Sequence, residues 1–207
     1  LPSMLKTNAY DTICHEHLEY YTLYNIKYLV EKCGLKIIDV QINDINGGSI
    51  WLDIIQDDSK FKCNTIKINR IINYEKKRGL HKASTFKKFF EKVSKHSRKL
   101  NNLLLELKNK NKKIAGLGAS TKGNVLLQFC KIGNKQIDNI YDVNPFKFGK
   151  YTPGTHIQIK DEKKMNLNNY DYVLVLIWHF NKFIINKIKK HNKNIKIITP
   201  FPKIKIL

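Results

Sequence analysis

The 207 residues are 42% hydrophobic and 11% aromatic, enough to bury a sizeable core as one large domain or two small ones. No run of about 18 apolar residues occurs, and Leu1-Pro2-Ser3-Met4 lacks the basic-then-apolar order of a signal peptide, so neither a membrane span nor secretion is predicted and the cytoplasm is the expected location. The net charge of +21 would favour an anionic partner, but only three of the 38 basic residues are arginine and the lysines are scattered along the whole chain; this is a compositional bias, and no specific nucleic-acid partner is expected.

In chain order, Tyr20, Leu23, Tyr24, Tyr28, Leu29 and Cys33 keep helical spacing, which predicts an amphipathic helix over 20–33 with Gly34 as its cap. Two apolar runs, 36–43 and 49–56, flank Asn46-Gly47-Gly48 and predict a β-hairpin whose glycine turn is tight enough to sit against a ligand. A long helix is predicted over 85–107, from Phe86, Phe89, Phe90, Val93, Leu100, Leu103, Leu104 and Leu107, with Ser84 or Thr85 capping its start. Beyond it, short apolar runs at 113–117, 137–141, 172–177 and 195–199 alternate with helical patterns at 122–130 and 180–188. Such alternation predicts an α/β fold with a parallel sheet and helices on its faces. A boundary near Gly79 would divide the chain into 1–79, the end of one domain, and 80–207, a small α/β domain. Cys14, Cys33, Cys63 and Cys130 stand singly, with no C-x-x-C pair, which predicts reduced thiols and no structural metal.

Three segments carry candidate chemistry. In Tyr10-Asp11-Thr12-Ile13-Cys14-His15-Glu16-His17-Leu18, two imidazoles lie among the carboxylates Asp11, Glu16 and Glu19. If this stretch is extended, His15 and His17 share one face and Glu16 takes the other. A histidine beside a carboxylate is a natural general base, because it titrates nearest neutrality. The same spacing also fits two metal ligands awaiting a third, or ordinary surface or core histidines.

The second segment is Ile114-Ala115-Gly116-Leu117-Gly118-Ala119-Ser120-Thr121-Lys122-Gly123-Asn124. A strand entering a glycine turn and then a helix aims amide groups and the helix dipole at an anion. Asp142 closes the next apolar run, about where a Rossmann acid meets a ribose. Thr121, however, occupies the third glycine position of the dinucleotide fingerprint, so bound NAD and a purely structural turn both remain open. In the third segment, from Asn144-Pro145 to Tyr151-Thr152-Pro153-Gly154-Thr155-His156-Ile157, a Pro-Gly turn is surrounded by side chains suited to a phosphate or sugar, or to solvent.

Together these landmarks, with Gly47-Gly48-Ser49 and the Val173-Leu174-Val175-Leu176 strand ending near Trp178, resemble the S-adenosylmethionine-dependent sugar C-methyltransferases that act on nucleotide-linked 4-ketodeoxysugars. The similarity covers nearly the whole chain. It implies a Rossmann-like C-terminal domain preceded by the helix and β-hairpin end of a methyltransferase domain. It also implies a zinc-binding N-terminal module and a donor-binding glycine loop, both expected outside this sequence. By position His17 would remove a proton, at C3, from a sugar acidified by its C4 ketone. Glu16 would orient base or substrate, with His15 close by. Cys14 stands where the family commonly has a tyrosine thought to assist at the reacting centre. Gly118, Ser120, Lys122, Asn124, Asp142, Tyr151, His156 and Trp178 form the substrate-binding set the resemblance implies. Asn46, Trp51 and His179 replace the family's frequent histidine, arginine and asparagine, changes that bear on substrate identity.

Overall fold

The computed structural model describes residues 1–43 and 45–207, and the chain forms two compact units. Asp44 and the side chain of Asn46, both at the predicted hairpin turn, lie outside the described residues.

The first unit comprises Leu1–Thr7 and His17–Glu91. A short helix α1 (Pro2–Thr7) is followed by α2 (Leu23–Lys32), which begins three residues later than its apolar pattern because the Thr22 side chain accepts the Asn25 N–H and caps it. Gly34, at φ +70°, ends it as expected. β1 (Leu35–Asn43) and β2 (Ser49–Gln56) pair antiparallel, with Val40 opposite Leu52 and Ile42 opposite Ile50. The glycine turn between them is closed by the chain's own Ser3, whose hydroxyl donates to the Gly47 carbonyl; a Cβ at Gly48 would fall 2.6 Å from Ser3 Cβ. Helix α3 (Thr65–Lys77) was not predicted from the sequence. Its buried Ile68, Ile72 and Glu75 do follow helical spacing, but they are spread thinly among Lys, Asn and Arg. Leu23, Ile37, Val40, Ile68 and Ile72 form this unit's core. Glu75 is 2% exposed and accepts the N–H groups of Leu23 at 2.8 Å and Tyr24 at 3.2 Å, satisfying donors that the start of α2 leaves open.

The long helix α4 (Ala83–Asn109) begins one residue before Ser84, so neither predicted residue caps it; Thr85 instead donates its hydroxyl to the Gly79 carbonyl at 2.7 Å. From Lys92 onward the chain, together with Asn8–Glu16, forms the second unit. In this unit follow β3 (Ile114–Leu117), α5 (Thr121–Phe129), β4 (Asn139–Asp142), β5 (Ile159–Asp161), β6 (Tyr172–Val175), α6 (Asn181–His191), β7 (Lys196–Thr199) and β8 (Lys205–Ile206). They build a six-stranded sheet in the order β5-β4-β3-β6-β7-β8, parallel except where β8 runs against β7. Every residue of β3 and β6 is buried, as central strands covered on both faces require. From β3 the chain moves to β4 on one side, and it later returns to β6 on the other. The sheet therefore has a Rossmann-like topological switch point beyond the carboxyl ends of β3 and β6, the place where ligands bind in open α/β sheets.

Candidate functional site

The switch point is built from the turn after β3. Gly118 has φ +91°, and a Cβ there would lie 2.5 Å from Ile177 Cγ2, so this position needs glycine for both conformation and space. Ser120 caps α5, its Oγ accepting the Gly123 N–H at 3.0 Å. Gly123 supplies the close helix-to-strand approach expected of the fingerprint's last glycine: a Cβ there would sit 3.1 Å from both the Gly118 carbonyl oxygen and Leu176 Cβ. Asp142 is 7% exposed and its carboxylate is committed to this turn, accepting the Ala119 N–H at 2.7 Å and the Asn144 N–H at 2.8 Å. Lys147 adds an ion pair to it at 3.5 Å and donates to the Ala119 carbonyl at 2.8 Å. The acid that would hold a dinucleotide ribose thus braces its own loop, which argues against the NAD reading.

Beyond β6, Trp178 donates its indole N–H to Asp11 Oδ2 at 2.6 Å. Asp11 is 1% exposed, and its Oδ1 has no hydrogen-bond partner among the described residues. Burial raises its pKa, opposed by the Trp178 hydrogen bond and the charge of Lys122. Lys122 lies 3.2 Å from His179 Nε2. Lysine can only donate, so Nε2 is the acceptor and the ring is neutral with its proton on Nδ1. Burial first, then Lys122, push the His179 pKa down to about 4.

A second neutral ring, His96, is buried in the same unit with its pKa lowered by that burial, against the hydrogen bond it makes to the Pro200 carbonyl. Below pH about 6.5 the unfolded chain takes up protons on these histidines that the folded chain refuses. Stability should therefore be full above that value and decline as pH falls towards the two folded pKa values. Urea midpoints at pH 7.5 and 5.5 should fall in that order, and less steeply in His96→Gln; equal slopes would deny His96 any part.

The Tyr10–Leu18 segment is not extended. Residues 10–12 form a 3₁₀ turn and His15-Glu16 a second turn, so the expected alternation of His15 and His17 about Glu16 does not hold. His15 and Glu16 are exposed, 3.9 Å apart, and Thr121 donates to Glu16 Oε1 at 3.4 Å. Cys14 and His15 line a cavity of about 600 Å³ together with Thr121, Asn124, Gln128 and Pro153. That volume suits a drug-sized ligand. The Asn124 Oδ1 is buried and, among the described residues, unpartnered. His17 belongs to the first unit, where its exposed ring meets Tyr20 edge-on at 6.4 Å.

Tyr151 and His156 are exposed, His156 at φ +52°. Their loop reaches the cavity through Pro153, whose carbonyl accepts from Gln128 at 2.9 Å. A larger hollow of about 800 Å³, bordered by Met165, Leu167, Lys187 and Ile188, holds none of the candidate residues. Among the described residues no three histidine, cysteine or acidic side chains converge as a metal site requires, and no helix is long and apolar enough to cross a membrane.

The structure thus gathers Gly118, Ser120, Lys122, Asp142 and Trp178 at the switch point, with Cys14, His15 and Asn124 around the adjoining cavity on α5. Sequence reasoning passed over Asp11 and Gly123. Asp11 stood within the first motif but was read only as one of several carboxylates, and its burial depends on a tryptophan 167 positions away.

The profile of the C-methyltransferase C-terminal domain family matches residues 44–202. The chain is also 29% identical over 208 residues to the C-methyltransferase NovU of Streptomyces niveus, aligning over 100% of its own length and 49% of that protein's. It spans about half the length of this curated relative.

Proposed function

The chain belongs to the C-methyltransferase C-terminal domain family, and from that premise we propose that it is the acceptor-handling part of an S-adenosylmethionine-dependent C-methyltransferase. In this reading the acceptor is a nucleotide-linked 4-ketodeoxysugar, methylated at C3 in the cytoplasm. The first unit closes the methyltransferase domain, and the second, which takes in Asn8–Glu16 together with Lys92–Leu207 in place of a simple division into 1–79 and 80–207, is the nucleotide-facing Rossmann-like domain. One observation carries the proposal: the Tyr10–Glu16 segment is built into the same compact unit as the glycine turn, so that Cys14 and His15 share a cavity with Thr121 and Asn124 of α5.

The carbonyl at C4 acidifies the C3–H bond. The His17 imidazole takes that proton, with Glu16 orienting ring or substrate, and hydrogen-bond donors near the oxygen hold the developing enolate charge. Ser120, which caps α5, and Lys122, on its first turn, serve the anionic nucleotide. S-adenosylmethionine supplies the electrophilic methyl group. The turn after β3 does not fit its ribose, because Asp142 is already bonded to Ala119 and Asn144, and no donor contact is assigned there. Zinc likewise finds no ligand set among the described residues.

The test is made on the complete protein in D₂O, without methyl donor. The expected result is deuterium at the carbon beside the ketone of the nucleotide-linked sugar, seen by NMR. Lys122→Ala should slow this exchange at low substrate and restore it at saturation, raising KM more than it lowers kcat. Binding without exchange would reduce the chain to a nucleotide-sugar binding module, and an unchanged KM would remove Lys122 from the substrate site.

A further inference from the structure

Tyr10 is 2% exposed and sits in an aromatic cage of the second unit, its ring centroid 5.1 Å from those of Phe129 and Phe201. An apolar ring would fill that cage equally well. Instead the hydroxyl lies 3.1 Å from His96 Nδ1 and 3.0 Å from Cys130 Sγ, and His96 Nε2 lies 2.8 Å from the Pro200 carbonyl oxygen. A carbonyl only accepts, so Nε2 carries the ring proton and Nδ1 must accept. The Tyr10 hydroxyl therefore donates to Nδ1, and its oxygen accepts from the Cys130 thiol. The chain of bonds has one proton order, and His96 is further held by stacking on Phe201 at 5.2 Å with 6° between the rings.

Burying a phenol, an imidazole and a thiol costs desolvation that their mutual bonds offset only in a fixed geometry. What that geometry fixes is the start of the motif. The next residue, Asp11, is bonded to Trp178, and the same segment leads into the Cys14–Glu16 stretch beside Thr121.

We infer that Tyr10, supported by His96, is a positioning residue for the acceptor chemistry: it sets the place of the Asp11–Glu16 segment against α5 and the switch-point loop. This rests on the function proposed above. A displacement of about 1 Å at a reacting group costs on the order of a hundredfold in rate, whereas contacts to a distant nucleotide would be little affected.

The complete protein would be compared with Tyr10→Phe, His96→Leu and His96→Gln in methyl transfer to the nucleotide-linked ketosugar. Tyr10→Phe and His96→Leu should each lower kcat by roughly tenfold or more with KM within about threefold. His96→Gln should recover most of the rate, because its amide N–H can reach Pro200 while its oxygen accepts from Tyr10. Lower thermal stability with unchanged kcat in Tyr10→Phe would overturn the inference and leave a packing role. Should that variant be insoluble, the two His96 variants carry the test: a kcat lost in His96→Leu and recovered in His96→Gln at constant KM supports positioning, and equal kcat in the two rejects it. An inactive parent protein would instead count against the proposed reaction, and the two failures are thereby told apart.

Discussion

Replacing His17 by alanine in the complete protein should lower kcat for methyl transfer by about 10²–10⁴-fold, the usual contribution of a positioned general base, while nucleotide-sugar binding stays within a few-fold of the parent. The expectation follows from the chemistry of the step. In the proposed reaction the proton leaves carbon, and a side chain that titrates nearest neutrality is best suited to take it. His17 is exposed, so its ring is open to approach rather than sealed in a core. Calorimetric titration with the nucleotide sugar would measure binding, and deuterium exchange in D₂O would report the proton step separately. Added imidazole should restore part of the exchange. Full turnover in His17→Ala would strip this residue of its role and leave only the architecture; His15→Ala, whose ring lies beside Glu16, should be the milder of the two changes.

Gly118→Val should have the largest effect on stability. Backbone at φ +91° is strained for any residue with a Cβ, at about 1–3 kcal/mol, and the added side chain would collide with Ile177. Overpacking of that kind costs about 1–3 kcal/mol more. The sum, roughly 2–6 kcal/mol, is a large fraction of the stability of a typical domain, about 5–15 kcal/mol. The urea midpoint should drop sharply, and nucleotide-sugar affinity should fall with it because the same turn positions Ser120 and Lys122. A parent-like midpoint would mean that the turn can open away from Ile177, contrary to its observed packing.

Much of this fold was legible in the residues. Continuous apolar runs such as Val173-Leu174-Val175 signal a buried parallel strand, and the glycine turn at Gly118 marks the strand-to-helix corner. What escaped is local and physical. β5 and β8 are three and two residues long, too short to carry a period, and they exist because a neighbouring strand offers hydrogen bonds. α3 hid its apolar face among polar residues. The His15-Glu16 turn defeated an alternation argument that holds only for extended chain. At the site, residue types in the first motif pointed to proton transfer, but nothing in sequence order tells that Asp11 meets Trp178 or that Tyr10 meets His96; such pairs are made by tertiary packing.

The position of Asp142 has a consequence for redesign. This sheet has the strand order of a dinucleotide-binding protein, and the simplest conversion into a redox enzyme would restore the missing glycine at Thr121. That single change should fail. The carboxylate needed to grip a ribose already answers two backbone amides and a lysine, so a nicotinamide cofactor would compete with the loop's own integrity. A successful conversion would first have to give Ala119 and Asn144 another acceptor, which makes it a remodelling of the whole corner.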